Sequence, residues 1–286
     1  MPSMKAIRRR RVTVDNIQQI TKAMNLVATS KLQRARTNLK AVEPLLVETK
    51  SIMQYAAARE DAKEHPVITP RDVKNVGYVI ITSDRGLCGG YNSNICKVLV
   101  NHAKEVGKNA KIIAIGTKGR DFFRRREYDI IKWFNSPSEV ASFKEAEQVA
   151  ATIMGMYQAG DIDEIYIAYT HFVSVLQQEP TVAKVFPVSE DFLDADFAKV
   201  SANIEFDPNL YDFLTNIAPV YLSIYIYCTM VESVICEQAS RMTSMDSATK
   251  NAEDIIEKLT LMINRQRQSI ITQEITEIVS GANALQ

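Results

Sequence analysis

Residues 81–95 read ITSDRGLCGGYNSNI: an apolar run, then Gly86, Gly89 and Gly90, then a helical pattern. Glycines between a strand and a helix N-terminus suit a phosphate, because they let backbone amides approach an anion. The chemistry demands more than glycines. A P-loop carries GxxxxGK and a Ser or Thr, so that a lysine and a hydroxyl reach phosphate and metal. Here Tyr91 and Asn92 follow the glycines instead. A dinucleotide fingerprint is GxGxxG, whereas this loop runs Gly-Leu-Cys-Gly-Gly. A second segment, GTKGRD at 116–121, also lacks the spacing. The residues favour a tight strand-to-helix turn over a nucleotide site, and no cofactor is expected.

Other reactive groupings are incomplete. Ser83 and Asp84 have no histidine near them in sequence, His102 falls in a helical pattern and His171 closes a strand pattern. Arg85 beside Cys88 is a setting that lowers a thiol pKa, but no base or resolving cysteine accompanies it. Cys88, Cys96, Cys228 and Cys236 form no CxxC pair, and the chain has only three histidines. That argues against a zinc cluster and for reduced thiols, so no metal is expected. No catalytic residue is assigned.

The elements that would position these residues follow from charge and punctuation. The 286 residues carry 34 Lys+Arg and 34 Asp+Glu, so net charge points to no polyanionic partner. The balance is uneven: Lys5, Arg8, Arg9, Arg10, Arg11, Lys22, Lys31, Arg34, Arg36 and Lys40 face only Asp15 in the opening segment. No membrane span and no signal peptide are expected. After Pro2 no proline occurs before Pro44 and no glycine before Gly77; after Pro219 neither occurs before Gly281. Both ends are therefore predicted helical.

At the N-terminal end Ile17, Ile20, Met24, Val27, Leu32, Ala35, Leu39, Val42 and Leu46 suggest a stripe near 3.6 residues per turn, with Pro44 bending rather than ending it. At the C-terminal end, Val220 to Ser280 permits a helix of roughly 90 Å, which needs another long helix or a partner to cover it. An antiparallel pair formed by the two ends is the expectation. Large aliphatics give way to small residues in EQASRMTSMDSATKNAED (237–254), which allows close helix approach. The middle alternates strands (76–83, 110–116, 129–134, 164–170) with helices, as in a doubly wound, mostly parallel sheet. Residues 181–189 add an edge strand, assigned to the edge by Pro187.

Four blocks then carry a resemblance: MKAIRRRRVTVDNIQQITKAMNLVATSKLQRAR, ITSDRGLCGGYNSNI, EQASRMTSM and RQSIITQEITEIVSGANAL. Together, in this order from Lys5 to Leu285, they resemble the gamma subunit of F-type ATP synthases. The closing ITQE-x-TEIVSGA block is specific; the GLCGG loop is a weaker marker. The resemblance implies a fold of α/β plus long helices: an antiparallel two-helix coiled coil with a central Rossmann-like domain. The boundaries expected are 1–58 for the first shaft helix, 74–195 for the α/β domain and 208–286 for the second. It implies a non-catalytic central rotor. The partners implied are three alpha and three beta subunits around the shaft, an epsilon subunit and the membrane c ring, with no nucleic acid. The membrane is reached only through the complex, at the cytoplasmic face of the plasma membrane. The short start and the lack of a cysteine-bearing insertion suggest the bacterial form.

Residue by residue, Met24 and Arg241 resemble positions passing the acidic loops of the beta subunits, with Cys88 nearby. Arg267, Gln268, Thr272 and Glu274 resemble shaft positions meeting the catch loops. Glu205 resembles the base that faces the c ring and epsilon. Ile204 and Phe206 depart from the tyrosine and proline expected there, and the run Arg8–Arg11 is more basic than the motif needs. Two alternatives stand beside this resemblance: a basic coiled coil that binds nucleic acid or acts as a scaffold, and a nucleotide-dependent enzyme.

Overall fold

The computed structural model describes residues 4–137, 141–188, 206–207 and 209–284. By packing, the chain forms two units: Met1–Ala28 with Met242–Gln286, and Thr29–Arg241. The helices α1 (Met4–Ala57) and α5 (Leu210–Ala284) each contribute to both. Pro44 and Pro219 lie inside these helices. Each proline removes one donor from a ladder that its many neighbours sustain, so neither ends its helix.

The larger unit holds five strands: β1 (Asn75–Ile81), β2 (Asn109–Ile115), β3 (Asp129–Phe134), β4 (Glu164–Phe172) and β5 (Gln178–Phe186). Their order across the sheet is β3-β2-β1-β4-β5. The first four are parallel and β5 pairs antiparallel with β4. Between them run α2 (Tyr91–Val106), α3 (Thr117–Arg124) and α4 (Phe143–Ala159). Alternate residues of β1 show why both faces are covered. Tyr78 and Ile80 join Ile95 and Leu99 of α2 and Phe123 of α3. Val79 and Ile81 join Val149 and Ile153 of α4, Leu222, Ile226 and Met230 of α5, and Met53 and Ala56 of α1. A strand buried on both sides must read as a continuous apolar run, as VGYVII does. β5 is an edge strand as expected, but for a different reason: Pro180 lies within it and Pro187 just past it.

An apolar window of α5 meets the length and composition needed to cross a membrane, contrary to the expectation that no segment would. Of that window 72% is buried inside the protein, so it reads as the core helix of this unit.

In the smaller unit α1 and α5 run antiparallel. Gln18 Nε2 donates to Glu253 Oε1 (2.9 Å), the Thr21 and Thr249 hydroxyls are 2.8 Å apart, and Asn25 Nδ2 donates to the Met242 carbonyl (2.9 Å). As α1 advances, its partners on α5 recede. On α1 the buried and half-buried positions include Ile7, Val14, Gln18, Thr21, Asn25 and Ala28, with Met4, Asp15 and Met24 half-buried on the flanks; on α5 they include Met245, Thr249, Ala252, Ile256, Leu259 and Ile263. Steps of four and three alternate, which is the heptad of about 3.5 residues per turn and a left-handed supercoil. The expected stripe near 3.6 is corrected here: Ile17, Ile20 and Val27 are 47%, 59% and 55% exposed. Seam positions are held by polar and small residues that hydrogen-bond across or allow close approach, so an apolar count follows the flanks instead.

Candidate functional site

The glycine loop sits at the carboxyl ends of β1 and β4. The topology reverses there, because β1 is followed by β2 on one side and β4 is reached by a later crossover. Ligands of doubly wound sheets bind in the crevice at this point. Here the protein fills it. Cys88 and Tyr91 from the loop and α2 pack with Cys236 of α5, and half-buried Phe172 closes over them. The Cys236 thiol donates to the Thr170 carbonyl (3.3 Å), and the Phe172 N–H donates to Glu232 Oε1 (2.8 Å). His171 Nδ1 lies 2.6 Å from the same carboxylate. One turn further, the Ser240 hydroxyl donates to Gln178 Oε1 (2.8 Å).

Several amides around the loop are engaged within the chain, among them Tyr91 N–H, which donates to the Cys88 carbonyl (3.2 Å). Ser83 N–H donates to Asn92 Oδ1 (2.9 Å), and Asn92 Nδ2 donates back to Ser83 Oγ (2.7 Å) and to Cys88 Sγ (3.3 Å). Asp84 accepts from the amides of Thr117 (2.8 Å) and Ser136 (3.1 Å). Gly119 N–H donates to Thr82 Oγ1 (2.9 Å). A carboxylate thus occupies the place where a phosphate would meet two amides. Two glycines have local backbone reasons instead: a Cβ on Gly116 would lie 2.2 Å from the Thr82 carbonyl oxygen, and Gly89 has φ 55°. Leu87, with φ 63° and 64% exposed, is held outward at the apex of the loop. A branched-side-chain residue in this left-handed region stores strain that the loop's hydrogen bonds must offset.

Arg241 holds the loop from below. It is 9% exposed, pairs with Glu237 at 2.7 Å, and donates from Nη2 to the Gly86 carbonyl (3.3 Å). Burial raises the Glu237 pKa, against the pull of Arg241 and Lys31 and with a further push from Asp84. Burial likewise raises the Cys88 thiol, despite its Ser83 hydrogen bond and the Arg241 charge. Cys88 is therefore a buried packing thiol and not a poised nucleophile.

The structure brings two of the sequence-predicted residues together, Cys88 and Arg241, through the loop. Met24 is a half-buried neighbour of the coiled-coil seam. Arg267, Gln268, Thr272 and Glu274 are all exposed on α5. From Ile271 to Ser280 every residue is exposed, including Ile271, Ile275, Ile278 and Val279. Glu205 lies outside the described residues. Sequence reading missed Glu237, the amide-accepting role of Asp84, which it set aside as a catalytic candidate, and the Glu232–His171 pair. The i,i+4 spacing of Glu237 and Arg241 was a usable signal for the first; the other two depend on contacts between segments far apart in sequence.

A family model described as "ATP synthase" matches residues 3–285 of this chain. The chain belongs to the ATP synthase gamma chain family. It is 41% identical over 288 residues to the ATP synthase gamma chain of Desulforamulus reducens, covering 100% of both. The gamma chains of Desulfitobacterium hafniense and Pelotomaculum thermopropionicum are 40% and 39% identical, again over 100% of each. Among solved structures, a chain of the Euglena gracilis mitochondrial ATP synthase, described as OSCP/F1/c-ring, aligns with TM-score 0.70 at 17% identity. It covers 99% of this chain and 94% of that one. A chain of the Tetrahymena thermophila mitochondrial central stalk and c ring gives TM-score 0.65 at 22% identity, covering 80% and 99%. At those identities the gamma-family fold is what is shared: a five-stranded sheet with two long terminal helices.

Proposed function

We propose that this gamma-family chain is the central rotor shaft of an F-type ATP synthase. It would turn within a ring of three alpha and three beta subunits and stand on the membrane c ring beside epsilon, peripheral to the cytoplasmic face of the plasma membrane. The observation that carries this reading is the bare end of α5. A single helix exposing Ile271, Ile275, Ile278 and Val279 leaves apolar surface in water unless a partner encloses it. Arg267, Gln268, Thr272 and Glu274 lie on the same stretch and would supply polar contacts to that enclosure.

The mechanism needs no catalytic group from this chain. Catalysis belongs to the beta subunits, three chemically identical copies. A shaft that touches each copy differently biases each toward a different conformation and nucleotide affinity, and turning it permutes those biases. Ion flow through the c ring would drive the turning. A heptad seam with close packing keeps the rod stiff enough to carry torque. Cys88 and Arg241 fit this role indirectly: Arg241 anchors the loop that presents Leu87, and Met24 lies on the coiled coil.

Reconstitution tests the reading. Mixed with alpha and beta subunits, the chain should assemble as one copy per ring of six and raise ATP hydrolysis; equal hydrolysis with and without it would refute the shaft role. Arg267→Ala with Gln268→Ala should weaken turnover while leaving the circular dichroism of the free chain unchanged.

A further inference from the structure

Between α2 and α3 lies an open cleft of about 300 Å³. Its walls include Asn92 and Ser93 from the first turn of α2, and Lys118, Phe122, Arg125 and Arg126 from α3 and the turn after it. Lys118, Arg125 and Arg126 are exposed, and among the described residues none of the three takes part in an ion pair. The one acidic residue in the wall, Asp121, is already engaged by Arg120 through Nε (3.0 Å) and Nη2 (2.9 Å). Arg126 is pre-oriented. Its guanidinium lies 3.7 Å from the centre of the Phe122 ring, and Nη1 donates to the Phe122 carbonyl (3.1 Å). A guanidinium fixed in this way loses less freedom on meeting an anion.

The opposite wall adds positive potential of a different origin. α2 starts at Tyr91 after Gly90, with no side-chain cap; the Tyr91 N–H donates to the Cys88 carbonyl (3.2 Å), and the positive end of the helix dipole lies on the cleft side at Asn92 and Ser93. The floor is neutral: burial pushes the Cys96 thiol up to about 12, so it stays protonated at neutral pH. Three cations without an ion-pair partner among the described residues line one cleft, and an anion entering it meets their positive potential. Guanidinium groups match tetrahedral oxyanions through paired N–H donors. A cleft of about 300 Å³ has room for one such group with a small substituent.

We infer that the cleft between α2 and α3 is a binding site for a phosphate-bearing small anion, held by Lys118, Arg125 and Arg126. This site uses none of the residues that carry the shaft reading, so the two stand or fall separately. The phosphate has two possible sources, a soluble phosphate ester or a phospholipid headgroup.

The test uses the full chain. Inorganic phosphate is titrated by calorimetry at constant ionic strength, with chloride as the balancing anion. In parallel, the chain is co-sedimented with phosphatidylcholine vesicles with and without phosphatidylglycerol. Saturable phosphate binding identifies the soluble source; binding to phosphatidylglycerol vesicles alone identifies the headgroup. In either case Lys118→Glu with Arg125→Glu should weaken binding about tenfold or more, and Lys104→Glu, an exposed α2 change outside the cleft, should not. The milder pair Lys118→Gln with Arg125→Gln serves if charge reversal perturbs folding. Absence of binding to both probes overturns the proposal. So does binding that both cleft variants retain, since it would then arise elsewhere, for instance on Arg8–Arg11.

Discussion

The two units of this chain are built on opposite principles. In Thr29–Arg241, residues such as Val79, Ile80, Ile113 and Leu222 are almost wholly withdrawn from water around a two-sided sheet. In the coiled-coil unit the buried apolar side chains among the described residues are only Ile7, Ala28, Met245, Ala252 and Leu259. The same unit exposes Val12, Ile20, Leu26, Leu261, Met262 and Ile278, among others. The larger unit buries most of its large apolar side chains; the coiled-coil unit exposes more of them than it buries. A helical pair so poor in buried area is marginal on its own, and its surface composition is that of an element meant to be enclosed.

The largest expected effect tests the larger unit. Glu237→Ala leaves Arg241 buried without its partner and should cost about 3–5 kcal/mol in denaturant unfolding. The double change Glu237→Gln with Arg241→Gln should recover much of that loss. If the single change is silent, the pair is not what holds the glycine loop. Next, Ile153→Ala opens a cavity between α4 and the sheet and should cost about 2–5 kcal/mol. Ile275→Ala, on the bare helix, should leave the melting of the free chain within error yet reduce turnover in the assembled complex. Equal destabilisation by the two would erase the contrast between the units.

A smaller effect is pH-dependent. Burial raises the Glu232 pKa above its ordinary 4.5, despite the favourable Phe172 N–H and His171. Folded protein therefore holds this proton more tightly than unfolded chain does. The associated stability is fully present below about pH 4.5 and is lost as pH rises through the folded value. Comparing unfolding midpoints from about pH 4 to pH 8, Glu232→Gln should gain relative to the parent as pH rises. A constant difference would remove Glu232 from the titrating groups. The smallest effect belongs to the coiled coil. Thr21→Val with Thr249→Val removes one seam hydrogen bond with both of its partners and should shift local amide exchange there by no more than about 1 kcal/mol.

Much of the larger unit was legible in one dimension. β1, β2, β3 and β4 lie within a residue or two of their sequence-based limits, because strands buried on both faces must be written as apolar runs between breakers. The coiled coil was legible as two long helices but not in its packing face. Ile17, Ile20 and Val27 look like a core stripe, whereas Gln18, Thr21 and Asn25 form the seam, and a polar seam cannot be told from a polar surface without its partner strand of helix.

By itself the sequence determined the helical ends, the alternating α/β middle, the family and the unsuitability of the glycine loop for a P-loop or a dinucleotide. Each of these depends on residue types at short spacing, which local sterics and burial translate directly. Tertiary structure alone decided what occupies the switch-point crevice, which loop carbonyl Arg241 reaches and which face of α1 is shared. Those outcomes join Gly86 to Arg241, Phe172 to Glu232 and Thr21 to Thr249, residues 155, 60 and 228 positions apart in sequence. The energy of each comes from burial that exists only once distant segments have met.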